Sequence, residues 1–233
     1  MAEPGTTAAG TTAGAKSPRE RYRAQVRAEI KERAWEQIAT TGASALSLNA
    51  IAKRMGMSGP ALYRYFAGRD ELMTELIRDA YRSLADTFQA VRASGSGGDV
   101  AALAHALRDW ALADPQRYFL IYGTPVPGYH APDDTTAISV EIVTVLLDAW
   151  SELPSHPPAS ASDRPAAPLE EHLADHRRWA AGHPATPTAL RRTMAFWTRL
   201  HGVLSLELAG QFTGMDFDPA VLFEAELEDL LRD

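Results

Sequence analysis

Between Ile51 and Leu72 the chain reads IAKRMGMSGPALYRYFAGRDEL, and Gly56 cuts this stretch into two short apolar-periodic segments. Neither is long enough to hold as an isolated helix in water. Two short helices joined by a tight glycine turn are the sequence form of a helix-turn-helix, and this pairing restricts the fold more than any other segment. Ser47 is placed as N-cap of the first helix, whose apolar face runs through Leu48, Ile51, Ala52 and Met55 to Gly56. Ser58 is placed to cap the second, which ends near Phe66. On a helical wheel Leu62 and Phe66 share one face and point to a core. Pro60 and Arg64 fall opposite, with Ala61 and Tyr63 on the margins and Tyr65 on the flank.

Helical periodicity continues on both sides. Val26, Ile30, Ala34 and Ile38 recur every four residues and predict a helix from about Pro18 to Thr41, stopped by Gly42. Leu72, Leu76, Tyr81, Leu84 and Phe88 predict another, from about Asp70 to Val91. SGSGG (Ser94 to Gly98) interrupts that pattern. Asp114-Pro115, Thr186-Pro187 and Asp218-Pro219 each pair a capping residue with proline at the first helical position. GTPVPGYHAP (Gly123 to Pro132) reads as a rigid loop, and PSHPPASASDRPAAP (Pro154 to Pro168) as a low-complexity mobile one; whether residues 154–185 are ordered stays open. No segment alternates like a strand, so the expected fold is all-α.

Charge is unevenly distributed. The chain carries a formal net charge of −7, yet Lys16 to Arg78 holds 12 Lys/Arg against 7 Asp/Glu. A basic N-terminal module on an acidic body fits an anionic polymer partner for the first part only. There is no cysteine, which removes thiol catalysis, disulfides and thiolate metal sites. No apolar run reaches the ~18 residues of a membrane span, and residues 1–17 read as a polar, disordered tail without a signal core. A cytoplasmic protein is expected.

The outward face of the second short helix suits a major groove. Gly59, Pro60 and Ala61 allow close approach to base edges, Arg64 can bond guanine or phosphate, and the hydroxyls of Tyr63 and Tyr65 suit phosphate oxygens. Ser47, Lys53, Ser58 and Arg69 sit at helix ends or on the surface, where phosphate contacts would set the register. The bland alternative is a helix hairpin with solvated tyrosines.

These residues also carry a resemblance. LSLNAIAKRMGMSGPALYRYFAGRDELM, from Leu46 to Met73, resembles the DNA-binding signature of TetR-family regulators, with Arg69 where lysine is common. The resemblance implies a three-helix DNA-binding domain over residues 18–68 and a larger helical ligand-binding and dimerisation domain over residues 69–233. DPQRYFLIYGTPVPGY and FWTRLHG (Phe196 to Gly202) are similar to a subgroup named for a Trp…His-Gly motif. The expectation is therefore a homodimeric, ligand-responsive repressor on a palindromic operator. Its dimer contact is expected to be a four-helix bundle, formed in each subunit by Thr188 to Phe212 and Pro219 to Leu231. Leu200, Val203, Leu204, Leu208, Val221, Leu222, Leu227 and Leu230 are the apolar residues offered for it.

In the second part, Trp197 and His201 share a helix face, and with Trp110, Tyr118, Tyr122 and Trp150 they are candidates for a small-molecule effector pocket; plain core packing is the competing reading. His172 and His176 stand four apart on a helix but lack a third ligand cluster, so no metal is expected. No cofactor-binding motif and no catalytic constellation stands out, and an enzyme on a helical scaffold is the disfavoured alternative. A helix-turn-helix protein governed by a protein partner remains the other.

Overall fold

The structure, a computed structural model, describes residues 17–96, 98–129, 132–153 and 167–232. The tail expected over residues 1–17 and the Pro/Ala/Ser segment therefore lie almost wholly outside the described residues. The fold is all-helical. In chain order the helices are α1 (Pro18–Thr41), α2 (Leu48–Arg54), α3 (Gly59–Leu62), α4 (Arg69–Val91), α5 (Val100–Ala113), α6 (Pro115–Tyr122), α7 (Asp133–Glu152), α8 (Ala167–Asp175), α9 (Pro187–Leu208) and α10 (Pro219–Arg232).

Helix starts follow local chemistry. The side chains of Ser47, Asp114 and Thr186 accept bonds from the amides of Ala50, Arg117 and Ala189 respectively. Asp218 accepts from Ala220 N. Each satisfies one of the amide groups a helix leaves unpaired at its first turn. At α1, Ser17 and Glu20 form a reciprocal capping box that the sequence reading did not single out. Ser58 departs from expectation: it makes no side-chain cap bond to α3.

Two cores divide the molecule. The first joins α1, α2, α3 and the front of α4, and buries Val26, Ile30, Ala34, Ile38, Ile51, Leu62, Phe66, Leu72 and Leu76. The second joins the rear of α4 to α5–α10 around Leu84, Phe88, Leu107, Tyr118, Leu146, Phe196 and Phe223. Helix α4, about 34 Å long at 1.5 Å per residue, runs through both, and Tyr81 packs against each of them.

Helix α6 and the loop after it make a second bridge. Leu120, Ile121, Val126 and Tyr129 pack on the first core, and Tyr129 Oη lies 2.9 Å from Thr74 Oγ1 on α4. The turn out of α6 needs glycine, since a Cβ on Gly123 would stand 2.5 Å from the Phe119 carbonyl oxygen. Beside the first core Arg27 pairs with Glu75 at 3.5 Å and Lys31 with Asp79 at 2.6 Å, fastening α1 to α4.

Helices α9 and α10 pack together, but the residues offered for a dimer contact are mostly spent internally. Leu200, Val203, Leu204, Leu227 and Leu230 are buried in the chain's own second core, and Leu208 and Leu222 are partly buried against it. Val221 alone of the eight is exposed, at 68%. An amphipathic helix has one apolar stripe, and here its own chain takes most of it.

Candidate nucleic-acid interface

Helix α2 ends in a Schellman motif. Gly56 N–H bonds Lys53 O at 3.3 Å and Met57 N–H bonds Ala52 O at 2.9 Å, with Gly56 at φ 65°. Only glycine adopts that left-handed conformation without a steric penalty, so the glycine sets the angle at which the next helix leaves. Regular α-helix then covers only Gly59–Leu62, and mixed bonds carry the coil on: Tyr63 N to Gly59 O, Tyr65 N to Leu62 O and Phe66 N to Leu62 O. The expected helix to Phe66 is therefore a short α-turn with an irregular continuation.

A turn this short is held by its surroundings. Leu62 and Phe66 are fully buried, each worth about 1.5–3 kcal/mol of apolar transfer. Arg23 Nη2 donates to Arg64 O at 3.0 Å, Arg27 donates to Tyr65 O, and the Arg27 guanidinium lies 4.1 Å from the Phe66 ring centroid. These two α1 arginines satisfy carbonyls that a short helix leaves without partners. Sequence reasoning missed them, because nothing local to residues 59–66 signals partners about 40 positions away.

The outward face is as expected. Ser58, Pro60, Tyr63 and Arg64 are exposed, Tyr63 at 48%, while Gly59 and Ala61 are partly covered. Lys53 is exposed too, and neither it nor the Arg64 side chain has an acidic partner among the described residues. Arg54, by contrast, is paired with Glu36 at 2.9 Å. Two candidates are drawn inward. Tyr65 is partly buried, with Arg23 5.6 Å from its ring centroid. Arg69 spends Nη2 on the carbonyls of Ala43 and Ser44, at 3.1 and 3.3 Å. Ser47 is occupied by capping, and its own amide donates to Gln37 Oε1.

The aromatic residues of the second core divide. Tyr118, Tyr122, Trp197 and His201 form one cluster, with ring centroids 4.3 Å apart for Trp197–His201 and 4.4 Å for Tyr122–His201. Trp110 joins its edge, 6.5 Å from Tyr118. Trp150 does not belong: it is buried elsewhere, with the Arg192 guanidinium 5.6 Å from its ring centroid. Tyr118 Oη shares hydrogen bonds with His201 Nδ1 at 2.9 Å and Ser205 Oγ at 2.8 Å. Burial lowers the His201 pKa to about 3 and raises those of Tyr118 and Tyr122, so all three stay uncharged near neutrality. His172 and His176 stack on the surface, and among the described residues no three potential ligands converge on a metal site.

Sequence and structure comparisons agree with this architecture. Residues 30–76 match the model for bacterial regulatory proteins of the tetR family, and residues 100–230 match the tetracyclin repressor-like C-terminal domain. The chain belongs to the TetR family. It is 38% identical over 211 residues to the HTH-type transcriptional regulators Rv1816 of Mycobacterium tuberculosis and Mb1846 of Mycobacterium bovis, covering 88% of this chain and 90% of each relative. Among solved structures it is similar to SCO4313, with 66% identity, a TM-score of 0.83 and coverage of 93% of this chain and all of that one. A Rhodococcus sp. RHA1 protein of unknown function, 21% identical with a TM-score of 0.57 over 89% of this chain and 94% of its own, shares the fold. This TetR-family chain is thus a DNA-binding transcriptional regulator, and no helix among its described residues is long and apolar enough to cross a membrane.

Proposed function

We propose that the protein is a ligand-responsive repressor that binds a palindromic operator as a homodimer, reading the major groove with the turn from Gly59 to Phe66. The observation that carries this is the backing of that turn: Leu62 and Phe66 fully buried, the 64 and 65 carbonyls clamped by Arg23 and Arg27, and Tyr63 and Arg64 left exposed. A short reader held this firmly loses little freedom on docking. Arg64 and Tyr63 take base edges and adjacent phosphates; Lys53, Ser58 and Arg69 set the register, Arg69 with the donors its carbonyl contacts leave over. Gly59, Pro60 and Ala61 permit the close approach, Ser47 holds α2, and Tyr65 acts mainly as packing. Residues 18–68 serve as the DNA-binding domain and 69–233 as the regulatory one, which we place in the Trp…His-Gly subgroup through Trp197, His201 and Gly202.

Dimerisation through α9 and α10 is supported by what their inner faces leave outside. Leu206 at 47% and Val221 at 68% are exposed, and space outside the exposed Gly202 is open for a partner helix. Two reading turns related by a two-fold axis then fit half-sites about 34 Å apart, or further for a wide dimer. An effector acts by binding the non-reading arrangement better, and it can shift the population only by that difference in affinity. The deciding experiment is footprinting on genomic fragments that the protein captures, with wild type and the Tyr63→Ala/Arg64→Ala variant. Loss of protection with sedimentation and melting unchanged is expected. Unaltered footprints would remove the reader from this turn.

A further inference from the structure

A cleft of about 220 Å³ opens between α7 and α9, walled by Val140, Val143, Trp179, Met194 and Trp197. Volumes of about 300–1,000 Å³ accommodate drug-sized ligands, so an occupant here is smaller. Thr193 lines the cleft at 2% exposure, and its hydroxyl has no hydrogen-bond partner among the described residues. Buried polar atoms are nearly always paired, by protein, water or ligand. Two more such atoms lie just behind the Trp197 indole: Tyr122 Oη and His201 Nε2 are also buried without partners among the described residues, and both rings pack against Trp197, at 5.5 and 4.3 Å. Thr193, Trp197 and His201 follow one another at intervals of four along α9, on one face of the helix.

Charge narrows the chemistry. Among the described residues Arg178 is the one cation lining the cleft, and it is exposed; the imidazole behind Trp197 is neutral. Among the described residues that line the cleft no charged side chain is buried, so a carboxylate or ammonium seated against Thr193 would lose its water without a buried partner. We infer that this cleft binds a small, uncharged molecule of one or two fused rings bearing a hydroxyl or carbonyl group, which hydrogen-bonds Thr193 while its rings stack against Trp197 and Trp179. The inference rests on the ligand-responsive reading above and names the chemistry of its effector. Pressure on Trp197 reaches Tyr122 of α6, whose neighbours Leu120 and Ile121 pack on the DNA-reading core.

Calorimetric titration of the full chain with 2-naphthol and with 2-naphthoate, in the absence of DNA, tests the site. The neutral probe is expected to bind at least about tenfold more tightly, since an unpaired charge would have to be desolvated. Thr193→Val, which keeps the shape and removes the hydroxyl, should weaken 2-naphthol about fivefold or more while leaving the melting midpoint unchanged or raised. No binding of 2-naphthol, equal or tighter binding of 2-naphthoate, or an indifferent Thr193→Val each overturns the inference. The same 2-naphthol is then added to the operator complex: release supports the ligand-responsive reading, whereas tight binding without release leaves the site standing and refutes that reading.

Discussion

The imidazole of His201 offers a quantitative test of how the regulatory core is held. Its ring is 9% exposed, wedged between Tyr118, Tyr122 and Trp197, and burial lowers its pKa from the ordinary 6.5 to about 3. The unfolded chain therefore takes up a proton as pH falls through about 6.5, and the folded chain does not until about 3. More protons bound in the unfolded state means stability is lost as pH drops across that window. At pH 5 the ring sits roughly 1.5 units below its unfolded pKa; at about 1.4 kcal/mol per unit, the loss relative to pH 7 is about 2 kcal/mol. Urea unfolding at pH 7 and pH 5, for wild type and His201→Gln, isolates this contribution because every other titrating group is shared. The wild type should lose about 2 kcal/mol more than the variant between the two pH values. Parallel losses would show that the buried, neutral imidazole is not where acid acts, and would undercut the uncharged cluster behind Trp197.

Gly56→Ala places a Cβ in a left-handed turn at φ 65°, which should cost about 1–2 kcal/mol in a urea melt; a neutral result would mean the Schellman turn is not under that constraint. Tyr129→Phe removes the bond that ties the loop after α6 to Thr74 of α4 and should cost about 0.5–1.5 kcal/mol, read by thermal melting; no change would show the contact idle. Lys53→Ala should weaken operator and unrelated duplexes alike and reduce the slope of log affinity against log salt by about one per protomer. A loss confined to the operator would instead make Lys53 a base reader.

The architecture of the surface proposed to read DNA was legible in the sequence because its determinants are local. Caps, the glycine stop and a four-residue apolar repeat act within one or two turns, so Ser47, Gly56, Leu62 and Phe66 could be placed from spacing alone. What spacing leaves undetermined is mostly set by distant partners. Ser58 stands at the cap position of α3, but its side chain makes no bond to that helix. Arg69 looked free for phosphate, yet the 43 and 44 carbonyls, 25 residues or more away along the chain, hold part of its guanidinium. Trp150 had the same aromatic character as Trp197 but packs with Arg192 instead of with His201.

By itself, then, the chain's order of residues determined that it would be helical, where most helices would begin and stop, and which side of the turn from Gly59 to Phe66 would face inward. Those outcomes follow from backbone sterics and nearest-turn hydrogen bonding. Only tertiary packing decided how the helices spend their apolar faces: six leucines and valines of α9 and α10 went into one chain's own core, leaving Leu206, Val221 and Leu231 exposed. It also decided that two arginines of α1 would clamp the turn from Gly59 to Phe66, and that three buried polar atoms would lie around Trp197 without partners among the described residues. Burial and long-range pairing are properties of which surfaces meet, and no local pattern encodes that meeting.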